Sequence, residues 1–204
     1  MLETTSALYT HIATPDNKDD DETGWFRWRN KAIQMYDINY RYSDIVLEER
    51  DTTPQDKREA LTHAYSGYEE LIHIRAGDRA PEAPGLINNQ RQKTSLFEQY
   101  KQTVHTVLIF SAEGQEQFVT DVVASVKKYP RDAVQAMVIS SGKSSDFTGT
   151  NVFIDGDGHA RSAYLVKKDT VNVMVVRPDG IIGAIVLDAG GVQRYFSRIF
   201  GIGV

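Results

Sequence analysis

The chain has 204 residues, 41% hydrophobic and 25% charged, which suits one globular domain with a substantial core plus an extension. Its formal net charge of -5 argues against nucleic acid or an anionic membrane as a partner, and the absence of cysteine removes disulfides, thiolate metal sites and thiol redox chemistry. No apolar run reaches the roughly 18 residues of a membrane span, and the N-terminus is not a secretory signal, so a soluble, cytoplasmic protein is the expectation.

Residues 14–24, TPDNKDDDETG, predict a mobile, solvated loop. Asp19, Asp20 and Asp21 are adjacent, so their side chains cannot all converge on a cation, and no metal is expected there. Trp25 to Tyr36 places Phe26, Ala32, Ile33 and Tyr36 near one helical face. The following INYRYSDIVLEE alternates as a strand or an extended wrap. Trp25, Phe26, Trp28, Tyr36, Tyr40 and Tyr42 make this stretch dense in aromatic rings, which bury against a partner surface or line a pocket. TPQDKREALTHAY predicts a short helix, with Thr53 as cap and Pro54 in the first turn. AGDRAPEAPG, residues 76–85, is a seam: Gly77 and Gly85 permit turns, Pro81 and Pro84 stiffen the path, and Asp78 and Arg79 pair or cap locally.

A regular pattern follows. TSLFEQYKQ is a short amphipathic lead-in, and HTVLIFSA a buried strand. EGQEQFVTDVVASVKKYP is a helix with Phe118, Val122, Val123 and Val126 on one face. AVQAMVISS is a second strand, and GKSSDFTGTNVFID a connection into a short extended piece. GDGHARSAYLV predicts a short helix, and VNVMVVRPDGIIGAIVL a hairpin whose turn RPDG lets Arg177 and Asp179 pair. The last helix, AGGVQRYFSRIFG, turns Val192, Tyr195, Phe196 and Ile199 toward the sheet. This order predicts an α/β, thioredoxin-like mixed sheet flanked by helices, with an N-terminal aromatic-rich extension. The division expected is an extension over 1–75 that wraps a domain over 76–204.

Reactive signatures fail one by one. The place of a thioredoxin dithiol, at the start of the first helix after the first strand, reads FSAEGQEQ, and Ser111 and Glu113 cannot cycle through a disulfide. No proline precedes VNVMVV. Dinucleotide and phosphate-loop fingerprints, the nucleophile elbow and zinc-helix motifs are absent. The histidines His11, His63, His73, His105 and His159 are scattered. His159 lies on a turn beside Asp155, Asp157 and Arg161, where a solvated turn is favoured over a carboxylate-held general base.

INYRYSDIVLEER, AGDRAPEAPG, SLFEQYKQTVHTVLIFS, VVRPDGIIGAIV and GVQRYFSRIFG together resemble the C-terminal portion of flavin-dependent phenol hydroxylases and related aromatic monooxygenases. The resemblance runs from about Asn39 to the C-terminus and implies a thioredoxin-like dimerisation domain. It implies no catalytic residue and no cofactor, because the flavin fold and the substrate domain of that family have no counterpart here.

Three readings follow. The first is a free-standing dimerisation or accessory module for aromatic-compound metabolism, a homodimer or the partner of a monooxygenase. The second is a cofactor-independent isomerase, cyclase, dehydratase or ring-cleaving enzyme acting on an aromatic or polyketide-like small molecule. There His73 and Tyr42 are the catalytic candidates, and Trp28, Tyr36, Tyr40 and Arg41 bind substrate. The third is an inactive fragment.

Overall fold

A strand that is apolar on both faces must be covered on both, and the run Val107 to Phe110 makes that demand. The computed structural model describes residues 39–41, 43–50, 74–142, 150–167 and 170–201. Their strands, in chain order, are β1 (Leu47–Glu48), β2 (Leu86–Ile87), β3 (Lys93–Thr94), β4 (His105–Phe110), β5 (Val134–Ser140), β6 (Asn151–Ile154), β7 (Asn172–Val176) and β8 (Ile182–Val186). Their helices are α1 (Leu96–Gln99), α2 (Glu116–Val126), α3 (His159–Ala163) and α4 (Ala189–Phe200). The helices expected over 25–36 and in the 53–65 stretch, the loop 14–24 and residues 143–149 of the connection lie outside the described residues.

The strands form one mixed sheet in the order β1-β8-β7-β4-β5-β6-β2-β3. The pairs β4–β5, β5–β6 and β1–β8 are parallel, and the other four are antiparallel. Because side chains alternate across a strand, the sheet has two apolar faces. Val107 and Ile109 join Val138, Val173 and Val175 beneath α2 and α4. Leu108 and Phe110 join Met137, Ile139 and Met174 on the opposite face. That face is covered by Ala76, Ala80 and Ala83 of the 76–85 loop, with Leu96 of α1 and Ala160 of α3. Each fully buried Val, Leu or Phe on these faces contributes about 1.5–3 kcal/mol relative to exposure.

The expected elements from α1 onward are present. Ser95 and Glu98 close a capping box that starts α1. Along α2 the buried stripe is Val119, Val122, Val123 and Val126, with spacings of three and four. Phe118, expected on that stripe, is only partly buried at its edge, and Val119 takes the central place. Asp188 caps α4 by accepting from the Gly191 amide at 2.7 Å. The helix buries Val192, Tyr195 and Phe196, with Ile199 half-buried beside them. The short hairpin β2–β3 was not expected. Its turn is made by the Asn88 side chain, whose Oδ1 accepts from the Gln90 and Gln92 amides at 3.0 and 2.9 Å.

Candidate functional site

In this topology the C-terminal end of β4 opens into the turn Ser111–Gln115 ahead of α2. The Ser111 amide and hydroxyl both donate to the Ile139 carbonyl, at 2.9 and 3.3 Å, so the serine is held as a sheet extension. The Arg161 guanidinium reaches this turn from α3. It donates through Nη2 to the Ser111 carbonyl and through Nη1 to the carbonyls of Lys167 (2.9 Å) and Thr170 (3.3 Å). The side chain is nearly buried, and its Cζ lies 6.0 Å from the centre of the Phe110 ring. A planar fork of donors suits this task, because one guanidinium can serve several carbonyls at once.

Asp155 sets the fork in place. Its buried carboxylate accepts from the Ala160 amide (3.2 Å) and the Arg161 amide (3.0 Å), fixing the first turn of α3. The result cross-links the end of β4 to the segment entering β7. Asp155 and Arg161 were read from the sequence only as neighbours of His159. Asp157 and His159 are exposed, Asp157 in the turn as expected and His159 as the first residue of α3 rather than in the turn.

The described sequence candidates are Tyr40 and Arg41, which meet the 76–85 loop. Tyr40 is exposed, while its amide donates to the Gly77 carbonyl at 2.7 Å. Arg41 forms a two-pronged ion pair with Asp78, Nε to Oδ1 at 2.6 Å and Nη2 to Oδ2 at 2.8 Å. Asp78 was expected to act locally with Arg79. It does cap locally, accepting from the Arg75 amide at 2.9 Å, but its ion pair is with Arg41 and Arg79 is exposed. Arg79 instead pairs through its backbone with Ile181. Trp28, Tyr36, Tyr42 and His73 lie outside the described residues.

The same loop is bonded to the β7–β8 hairpin. The Gly77 amide donates to the Ile182 carbonyl (2.7 Å), the Ile182 amide to the Asp78 carbonyl (2.8 Å), and the Ala80 amide to the Gly180 carbonyl (2.8 Å). Within the hairpin turn, Arg177 pairs with Asp179 at 2.6 Å, as expected. A second anchor fixes residues 47–50. Glu48 accepts from the Ala76 amide at 3.0 Å, while Glu49 accepts from the Leu187 amide at 3.0 Å and pairs with Arg194 at 2.7 Å.

The phenols of Tyr100 and Tyr164 form a brace. Tyr164 donates to the Pro81 carbonyl at 3.0 Å, so its single proton is used and Tyr100 must donate to the Tyr164 oxygen, 2.8 Å away. Burial pushes both phenols above their ordinary range, which keeps them neutral. His105 sits edge-on to Tyr195, Phe196 and Phe200, with ring centres 6.1, 5.6 and 6.2 Å away. Burial, then the Arg177 charge, hold the imidazole below its usual value, against a smaller upward pull from Asp179. Among the described residues no group of His, Asp and Glu could hold a metal ion, and no helix is long and apolar enough to cross a membrane.

No protein-family model matches this sequence, and no curated protein does. Solved structures do. The thioredoxin domain of a thiol-disulfide oxidoreductase from Bacteroides vulgatus is 14% identical, with a TM-score of 0.52, over 62% of this chain and 99% of that one. A domain of a possible thiol-disulfide isomerase from Cytophaga hutchinsonii is 12% identical, with a TM-score of 0.53, over 64% of this chain and 96% of that one. A thiol:disulfide interchange protein from Bacteroides sp. is 12% identical, with a TM-score of 0.50, over 61% of this chain and 90% of that one. At such identities the likeness concerns fold alone. The mixed sheet with helices on both faces is a thioredoxin-like fold.

Proposed function

We propose that the chain is a non-redox thioredoxin-like module that acts by association, as a homodimer or as the accessory partner of a flavin-dependent aromatic hydroxylase. In this reading residues 1–75 wrap a domain formed by 76–204. The observation that carries its non-redox character is the turn Ser111–Gln115. It has no cysteine, its serine is bonded into the sheet, and Arg161 ties its carbonyl to the segment before β7. The thiol-disulfide activity named for the similar structures needs a thiol pair that this sequence lacks. Both prongs of the Arg41 guanidinium are engaged by Asp78, which speaks against Arg41 as a substrate-binding residue.

The test is sedimentation velocity of the full chain, alone and mixed with a flavin-dependent phenol hydroxylase. A concentration-dependent dimer, or a stoichiometric complex, is expected. A monomer at all concentrations, with no complex, overturns the proposal.

A further inference from the structure

The sequence contains three Asp-Gly pairs, Asp155-Gly156, Asp157-Gly158 and Asp179-Gly180. Such a pair can rearrange, because glycine leaves its own amide nitrogen open to attack the preceding carboxyl. We propose that Asp157 is a site of spontaneous isoaspartate formation, selected over the other two by the fold.

The three carboxylates are held differently. Asp155 is buried, and each of its oxygens accepts an amide hydrogen from α3. Asp179 gives one oxygen to Arg177 at 2.6 Å and the other to the Ile181 amide at 3.2 Å. Its attacking group is held too, since the Gly180 amide donates to the Arg177 carbonyl at 2.9 Å. Asp157 is exposed, and its carboxylate accepts no hydrogen bond among the described residues. The Gly158 amide has only a long bond, 3.4 Å, to the Asp155 carbonyl.

The chemistry needs water alone. The Gly158 nitrogen bonds to Asp157 Cγ, its proton and the carboxyl hydroxyl leave as one water, and a succinimide ring closes. Water then opens the ring. Attack at the former side-chain carbonyl restores aspartate. Attack at the main-chain carbonyl gives isoaspartate, with the peptide running through Cγ and a free α-carboxylate. Such an α-carboxylate is the substrate class of a methyltransferase that uses S-adenosylmethionine.

The experiment incubates the full chain at mildly acidic pH, folded and in concentrated urea. Isoaspartate is then located by electron-transfer fragmentation and by labelled methyl transfer from S-adenosylmethionine with an isoaspartyl methyltransferase. In the folded chain, severalfold more isoaspartate is expected at 157 than at 155 or 179, and in urea the three rates converge. Asp157→Glu, which cannot close the five-membered ring, removes the folded-state signal. Equal accumulation at the three sites in the folded chain overturns the proposal. So does a folded Asp157 that stays intact while the urea-unfolded chain reacts there.

Discussion

Alanine at Gly77 and alanine at Gly114 separate two costs that are usually confounded. Both glycines sit at positive φ, +98° and +78°, where an L side chain is strained. Around Gly114 nothing lies within 4 Å of a new Cβ, so Gly114→Ala carries the backbone cost alone, about 1 kcal/mol. At Gly77 the new Cβ meets the Arg41 nitrogen, and lies 2.6 Å from both Arg41 Cα and the Tyr40 carbonyl carbon. These are backbone atoms and cannot swing aside, so the segment at residues 39–41 must lift. Lifting removes the Tyr40 amide bond to Gly77, about 1 kcal/mol, and loosens the charge-assisted Arg41–Asp78 pair, about 1.5–3 kcal/mol before solvent screening of the partly exposed Arg41. With the backbone strain the total is about 3–4 kcal/mol, a large share of the 5–15 kcal/mol typical of a whole domain. Urea unfolding of the two variants and the parent gives the difference directly, and hydrogen exchange at the Tyr40 amide reports whether the segment has come away. If Gly77→Ala costs no more than Gly114→Ala, the packing of residues 39–41 on the 76–85 loop is refuted.

Two further outcomes follow from the aromatic cluster beneath β4. The Tyr195 hydroxyl is fully buried with no hydrogen-bond partner among the described residues, so Tyr195→Phe is expected to stabilise the fold by about 1 kcal/mol in urea unfolding; a loss of stability would contradict this. His105 is held below its ordinary value when folded, so between that lowered value and the unfolded value near 6.5 the unfolded chain binds the extra proton. Stability should therefore rise with pH across that window and level off above it, and His105→Gln should flatten the slope in thermal melts at a series of pH values.

The parts of the fold legible in the sequence are those whose signal is local. The apolar strands around Val107–Phe110 and Val134–Ser140, the valine stripe of α2 and the RPDG turn each announce themselves within a few residues. The β2–β3 hairpin does not, because two strands of two residues each leave no period to read, and the turn depends on one asparagine side chain. Asp78 shows the other limit. A neighbouring arginine invites a local pair, yet the partner that wins is 37 residues away and has no signature in sequence. In the 76–85 loop the prolines drew attention, while the residues that enter the core are the alanines at 76, 80 and 83. Arg161 was overlooked as a brace because its acceptors are backbone carbonyls, which are the same at every position.

The pairing of β1 with β8 constrains the order in which this protein can be built. Glu49 is 138 residues from Leu187 and 145 from Arg194, and it bonds to both. During synthesis Leu47 and Glu48 leave the ribosome well before the strand they pair with. A segment near the start of the sequence is thus among the last to find its place, and closing so long a loop carries the entropic cost that slows non-local pairing. Until then the edge of β8 is an unpaired strand, open to any other chain that meets it first.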